Sequence, residues 1–170
     1  MSADRDRRGD GFRVGAGYLA DHPDADPTAT DLVVNLLETA NHLQTRLDQL
    51  LRPFGLTTGS FNVLTIVAGA SEPLTPTEIT HRLRVPVTTA TVTGVLDTLE
   101  KGGWIERSRH PSDRRRVLVD VTKAGARHQR EATVAVVGAE QRWTKGLTKA
   151  RRVALADELG AFQTHLRSLD

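Results

Sequence analysis

The fold of this chain is decided by residues 87–122, VTTATVTGVLDTLEKGGWIERSRHPSDRRRVLVDVT. Their first half has apolar residues at the i, i+3, i+4 and i+7 spacing of a helix with one buried face: Val92, Val95, Leu96 and Leu99. Thr88 is a suitable N-cap, because a threonine hydroxyl there accepts from a free amide of the first turn. Gly102 and Gly103 are residues at which helices commonly end. The pattern predicts a helix over residues 89–101.

A basic β-hairpin is predicted to follow this helix. Residues 104–105 and 117–121 are β-prone, and a polar segment containing a proline separates them. Residues 101–116 carry six basic and two acidic side chains, a local charge of +4 in a chain whose formal net charge is +2. Such a concentrated charge favours a positioned contact with a polyanion over indiscriminate coating of nucleic acid. A solvated charged loop is the alternative reading of the hairpin alone.

Length and composition narrow the class of protein. A chain of 170 residues is expected to form one domain, or one domain with a helical extension. No apolar run approaches the roughly 18–20 residues of a membrane span, and the first residues lack the apolar region of a signal peptide. We therefore expect a cytoplasmic protein without a membrane partner. The absence of cysteine excludes disulfides and thiolate metal sites.

Enzymatic and metal-binding functions find no support in the sequence. It contains no phosphate-binding glycine loop, no nucleophile elbow and no interpretable group of acid, base and nucleophile, so we expect no enzyme. The six histidines lie in separate predicted elements without an H-x-x-x-H pair, and we predict neither a metal site nor a cofactor.

The first third of the chain divides into an arm and a helix. Residues 1–27 are rich in Asp, Arg, Gly and Pro and are expected to be a flexible N-terminal arm. Residues 28–56 begin with Thr28-x-x-Asp31 as a plausible cap. One face of this helix carries a leucine stripe: Leu32, Leu36, Leu43, Leu47 and Leu50. Such a stripe must be buried against another helix, so we expect a dimerisation helix here.

Residues 57–122 are predicted to form a DNA-binding lobe. A capping-box pattern, Thr75-Pro76-Thr77-Glu78, begins a short helix. A brief turn then leads to the predicted helix 89–101 and the basic hairpin. Two short helices joined by a tight turn and followed by a hairpin are typical of a winged helix-turn-helix.

Residues 123–170 are predicted to form two further dimerisation helices. Thr122 is the expected cap of the first, over residues 123–143. The second, over residues 149–169, has apolar residues at alternating spacings of four and three, as in a coiled coil: Leu155, Leu159, Phe162, Leu166 and Leu169. A chain of this size offers little else to cover these faces, so we predict a homodimer. Two-fold symmetry also suits a palindromic operator.

The sequence resembles the MarR family of winged helix-turn-helix regulators. The resemblance rests on VTTATVTGVLDTLEKGGWIER, on HPSDRRRVLVDVTKAG, and on the helix order around them, and it covers about residues 28–169. It implies a mainly α fold with a small β-hairpin wing, in a six-helix homodimer. It also implies a transcriptional regulator, commonly a repressor, that a small aromatic or anionic ligand releases from double-stranded DNA.

The resemblance assigns roles to individual residues. Arg115 matches the wing arginine that enters the minor groove, where a narrow groove concentrates negative potential. Asp113 matches the acid that holds this arginine, and Arg114 and Arg116 would flank the groove or contact phosphates. Residues expected to contact DNA from the recognition helix lie near its N-terminus: Thr88, Thr89, Ala90, Thr91 and Thr93. Gly94 stands where the family often has arginine, so guanine reading from that position is not expected.

Several readings remain open beside this one. His42 and Arg46, one turn apart on the first helix, could line a pocket for an anionic aromatic ligand or be ordinary surface residues. The basic start of the last helix, Lys149, Arg151 and Arg152, opposes the helix dipole and fits a phosphate-facing patch or a solvated face. The alternative functions are a winged-helix protein-interaction module and a ligand-blind architectural DNA binder.

Overall fold

The computed structural model describes residues 11–83, 88–113 and 116–169. These residues form seven α-helices and one β-hairpin. In chain order they are α1 (Ala16–Asp21), α2 (Pro27–Leu51), α3 (Thr58–Ala68), α4 (Pro76–Arg82), α5 (Thr89–Lys101), β1 (Ile105–Arg109), β2 (Val117–Val121), α6 (Lys123–Trp143) and α7 (Lys149–Arg167). The chain divides into two compact units, residues 1–58 and 59–170.

In the first unit, α2 holds an extended segment that precedes α1. The side-chain oxygen of Asn35 accepts from the amide of Phe12 at 2.7 Å, and the Asn35 amide nitrogen donates to the Phe12 carbonyl at 2.9 Å. The carboxylate of Asp31 accepts from the amide of Val14 and also lies 3.8 Å from Arg13 Nε. Part of the predicted arm therefore contacts α2 through its own backbone, and the short helix α1 follows.

The predicted cap of α2 was wrong. Asp26 is the N-cap, and its carboxylate accepts from the amide and the hydroxyl of Thr28 at 2.8 and 2.7 Å. These hydrogen bonds, that of the hydroxyl foremost, lower the pKa of Asp26. Pro27 occupies the first helical position, where a missing N–H costs nothing. Asp31 is instead engaged by residues that precede α1.

In the second unit, α3, α4, α5 and the hairpin enclose an apolar core. The two strands are antiparallel and pair Ile105 with Val121 at one end and Arg109 with Val117 at the other. Leu74 forms an additional backbone bridge to Val119, so the segment before α4 extends the hairpin. The core side chains of this unit are all at most 4% exposed: Val63, Leu64, Val67, Leu74, Ile79, Val92, Leu96, Leu99, Ile105 and Val119.

The predicted extent of α5 and the predicted N-caps of α4, α5 and α6 are confirmed. α5 spans the predicted residues, and the Thr88 hydroxyl accepts from the amide of Thr91 at 3.2 Å. Thr75 and Glu78 form both hydrogen bonds of the predicted capping box at the start of α4. Thr122 caps α6 by accepting from the amide of Gly125 at 2.9 Å. These caps fix where the helices next to the hairpin begin.

The outer faces of three helices remain exposed in the single chain. On α2, Leu32 and Leu37 are 55% and 60% exposed, and on α6 Val134 is 74% exposed. On α7, no residue is buried. No helix within the described residues combines the length and apolarity that crossing a membrane would require.

Candidate nucleic-acid interface

The N-terminal turns of α5 present small polar side chains to solvent. Thr88, Ala90, Thr91 and Thr93 are exposed, whereas Val92 and Leu96 on the opposite face are 1% and 0% exposed. The Thr88 and Thr91 hydroxyls lie 3.0 Å apart and hydrogen bond to each other. Thr89 begins the helix, and its side chain lies outside the described part of the structure. One face of α5 is therefore anchored in the core, and the other is exposed to solvent.

The wing is closed by hydrogen bonds within its loop. The amide of Arg116 donates to the Asp113 carbonyl at 3.0 Å, and the amide of His110 donates to the Arg116 carbonyl at 3.0 Å. His110 Nδ1 accepts from the amide of Ser112 at 3.2 Å. Asp113 and Arg116 are both exposed at the tip. Arg114 and Arg115, and hence the predicted Asp113–Arg115 pair, lie outside the described residues.

Arg116 also connects the wing to α4 electrostatically. Hydrogen bonds from the Thr75 hydroxyl and amide to the Glu78 carboxylate, each 2.7 Å, lower the pKa of Glu78. Attraction by Arg116, and less strongly by Arg82, acts in the same direction. Glu78 therefore keeps its charge to a lower pH than an ordinary glutamate does, while it caps α4.

An ion-pair cluster that sequence reasoning missed joins the hairpin to α5. Arg107, in the middle of β1, places Nη1 2.7 Å from Asp97 Oδ1 and 3.2 Å from Glu100 Oε2. The Arg107 side chain is 25% exposed, compared with 48% for Asp97 and 41% for Glu100. The signal in the sequence was weak: Asp97 is the only charged residue in positions 88–99, and nothing in the pattern pairs it with Arg107.

The base of the wing is a tight contact between α6 and the strand entry. The Thr122 hydroxyl donates to the carbonyls of Gly103 and Trp104 at 2.8 and 3.3 Å. The Trp104 indole stacks on His128 with ring centroids 4.4 Å apart and planes 12° apart. Gly125 lies so close to the Trp104 carbonyl that an added Cβ would stand 1.8 Å from its oxygen. The residues that lead into the hairpin are thus packed closely against the start of α6.

The predicted ligand residues, His42 and Arg46, do not line the cleft that the structure shows beside the start of α2. His42 and Arg46 are both exposed on α2. A cleft of about 560 Å³ does occur in the first unit, but its lining residues are others: Arg13, Thr28, Asp31, Leu32 and Asn35. Within residues 11–83, 88–113 and 116–169, no group of three or more His, Asp or Glu side chains could hold a metal ion. The basic residues Lys149, Arg151 and Arg152 are exposed on α7.

Comparison with known proteins identifies the family. The MarR family model matches residues 56–117, which include α3 to α5 and β1. The multiple antibiotic resistance protein MarR of Salmonella typhimurium is 34% identical over 128 residues, which are 72% of this chain and 79% of that protein. The chain belongs to the MarR family.

Two further relatives extend the comparison. The transcriptional repressor YetL of Bacillus subtilis is 30% identical over 101 residues, 59% of each chain. The chain thus spans about three fifths of the length of YetL, and 62% of the length of Escherichia coli MarR. A crystal structure of a mutant E. coli MarR complexed with operator DNA is 32% identical, with a TM-score of 0.66, over 75% of this chain and 90% of that one. The predicted mainly α winged-helix fold of the MarR type is confirmed.

Proposed function

We propose that this MarR-family protein is a homodimeric, sequence-specific DNA-binding regulator of transcription, acting as a repressor. The observation that carries the proposal is that the exposed polar face of α5 lies next to the basic hairpin in the chain's fold. The polar face of α5 is exposed while Val92, Leu96 and Leu99 on the opposite face are buried. The hairpin beside this helix carries the chain's main positive charge. A relative with 32% identity has been crystallised with operator DNA, which supports the same partner here.

In this proposal, α5 lies in the major groove with its N-terminus leading. Thr88, Thr91 and Thr93 donate hydroxyls to phosphates or place methyl groups against thymine, and the amides of the first turn favour a phosphate. Ala90 and Gly94 add no hydrogen-bonding side chain. Sequence is therefore read through threonine contacts and DNA shape more than through paired hydrogen bonds to guanine.

The wing supplies the second contact. Arg115 enters the minor groove, Asp113 directs it, and Arg114 and Arg116 bind the flanking phosphates. Support comes from the charge of the hairpin and from the exposure of Asp113 and Arg116 on a loop closed by its own hydrogen bonds. A narrow minor groove attracts arginine because its negative potential is concentrated.

The homodimer proposal rests on the uncovered apolar side chains of α2, α6 and α7. These include Leu32, Leu37, Val134 and Leu155, each more than half exposed in the single chain. A two-fold dimer formed through these faces suits a palindromic operator, whose half-sites lie about 34 Å apart. Analytical ultracentrifugation should find twice the chain mass of 18.6 kDa. Leu155→Glu should raise the monomer fraction, whereas Thr164→Glu, which adds the same charge to α7, serves as the matched control.

We also propose that an effector ligand modulates DNA binding. An anionic aromatic molecule near His42 and Arg46 would find a positive partner in the guanidinium. Both residues are exposed on α2, so a binding pocket there would need a further wall that the dimer supplies. The effector is implied by the family resemblance, whereas the site is predicted from the spacing of His42 and Arg46, one turn apart on α2. Its test is separate from that of DNA binding.

Gel shift tests the central claim. A duplex taken from upstream of the protein's own gene should bind more tightly than a scrambled duplex of the same length. The logarithm of the affinity should fall linearly with the logarithm of salt concentration, because phosphate contacts release counterions. Equal binding to both duplexes would favour the architectural DNA binder. No binding to either duplex at low salt would favour the protein-interaction module.

A further inference from the structure

The guanidinium of Arg107 forms ion pairs with two carboxylates of α5, those of Asp97 and Glu100. Nη1 of Arg107 is within 2.7 Å of Asp97 and 3.2 Å of Glu100, and the arginine is the least exposed of the three side chains. Its guanidinium therefore points along the protein surface toward α5. This geometry leaves Arg107 less available to a duplex than the exposed arginines of the wing.

Asp97 lies on the face of α5 that the duplex would approach. It follows Thr93 by four residues and Gly94 by three, and such residues are neighbours on one side of a helix. Thr93 and Gly94 are exposed. A carboxylate at this position faces a polyanion, and at short range like charges repel strongly when water is displaced. The negative charge of Asp97 on this face of α5 therefore opposes DNA binding unless it is neutralised.

We propose that Arg107 is a positioning residue for DNA binding, which neutralises Asp97 and Glu100 and so allows α5 to approach the phosphates. This inference rests on the proposed DNA-binding function. Arg107 acts through the two carboxylates and does not itself contact the duplex. Because it stands on β1, it also holds the hairpin against the helix in the arrangement that two-groove binding requires.

The proposal predicts a coupling between Arg107 and the two acids. Arg107→Gln removes the charge and leaves the carboxylates uncompensated. The double substitution Asp97→Asn, Glu100→Gln removes the charges that Arg107 compensates. In that background, losing the charge of Arg107 should change DNA affinity little. Side chains in one ion-pair network generally show such non-additivity in double-mutant cycles.

Fluorescence anisotropy with the labelled upstream duplex measures the cycle. Arg107→Gln should weaken binding about tenfold in the wild-type background, but less than about threefold in the Asp97→Asn, Glu100→Gln background. Arg107→Lys keeps a cation and should stay within about threefold of wild type. Arg130→Gln removes an exposed arginine of α6 and is the matched control for loss of one charge.

Equal losses from Arg107→Gln in both backgrounds would overturn the proposal, since a direct DNA contact would act independently of the acids. A loss for Arg107→Lys as large as that for Arg107→Gln would overturn it as well, and this arm needs no second substitution. The ion pair is partly exposed, so folding should survive, and thermal unfolding checks this. If wild-type protein fails to prefer its upstream duplex, the proposed function fails and not this inference alone.

Discussion

Gly125→Ala should destabilise the protein although alanine is the better helix former. The added Cβ would stand 1.8 Å from the Trp104 carbonyl oxygen, 2.6 Å from its carbon and 2.9 Å from its Cα. Ordinary van der Waals contact begins near 3.4 Å, so α6 and the strand entry must separate by more than an ångström. Backbone atoms, unlike the end of a flexible side chain, cannot move aside alone.

The loss in free energy of unfolding follows from the contacts that are strained or lost when α6 and Trp104 move apart. Overpacking costs about 1–3 kcal/mol. Moving Trp104 from Thr122 also weakens two hydrogen bonds to its carbonyl, one from the Thr122 amide at 3.1 Å and one from the hydroxyl at 3.3 Å. Each contributes about 1 kcal/mol. Alanine returns about 1 kcal/mol through its helix propensity. The free energy of unfolding should therefore fall by about 2–4 kcal/mol.

Urea unfolding followed by circular dichroism measures this change. At fixed protein concentration, which matters for an oligomer, the midpoint should fall by about 1–2 M. Gly138→Ala lies in the same helix, and its Cβ would meet only the end of Arg142 at 3.5 Å. That control should raise the free energy of unfolding by about 0.5–1 kcal/mol. A Gly125→Ala protein as stable as wild type would refute the close approach on which the reasoning rests.

Three further predictions concern acid stability, the wing and the effector. The folded-state pKa of Glu78 lies below its ordinary value of 4.5, so the stability that ionised Glu78 contributes is present above pH 4.5 and is lost as pH falls through the lowered pKa. Glu78→Gln should therefore flatten the fall of the urea midpoint below pH 4.5. An unchanged pH profile would contradict the capping geometry. Arg115→Ala should weaken operator binding by about 1–3 kcal/mol in gel shift, while Arg130→Ala on α6 should change it little. Equal effects of the two substitutions would remove the special role of the wing arginine. If an anionic aromatic ligand binds near α2, thermal shift against a panel of aromatic acids should raise the melting temperature of wild type but less that of a His42→Ala, Arg46→Ala double variant. A panel without any shift would leave those two residues as ordinary surface side chains.

Local signals in the sequence were sufficient for most of the fold. The apolar spacing and the N-cap residues of α4, α5 and α6 act over three or four residues, and the structure has them where the pattern predicts. The hairpin was also readable, since two β-prone runs flank a polar loop. Family membership followed from the same stretch. The polar, exposed face of α5 could be predicted because it is simply the side opposite the buried stripe.

Tertiary structure decided what depends on residues distant in sequence. Thr28, with Asp31 three residues later, was predicted to cap α2. Instead Asp26 caps the helix, and Asp31 accepts from Val14, 17 residues earlier. Arg107 meets Asp97 across ten residues, and no periodicity in the sequence pairs those two charges. Gly125 must be glycine because the backbone of Trp104 passes beside it. Capping and amphipathicity are properties of one short segment, whereas a salt bridge or a close backbone approach exists only once two segments have been packed together.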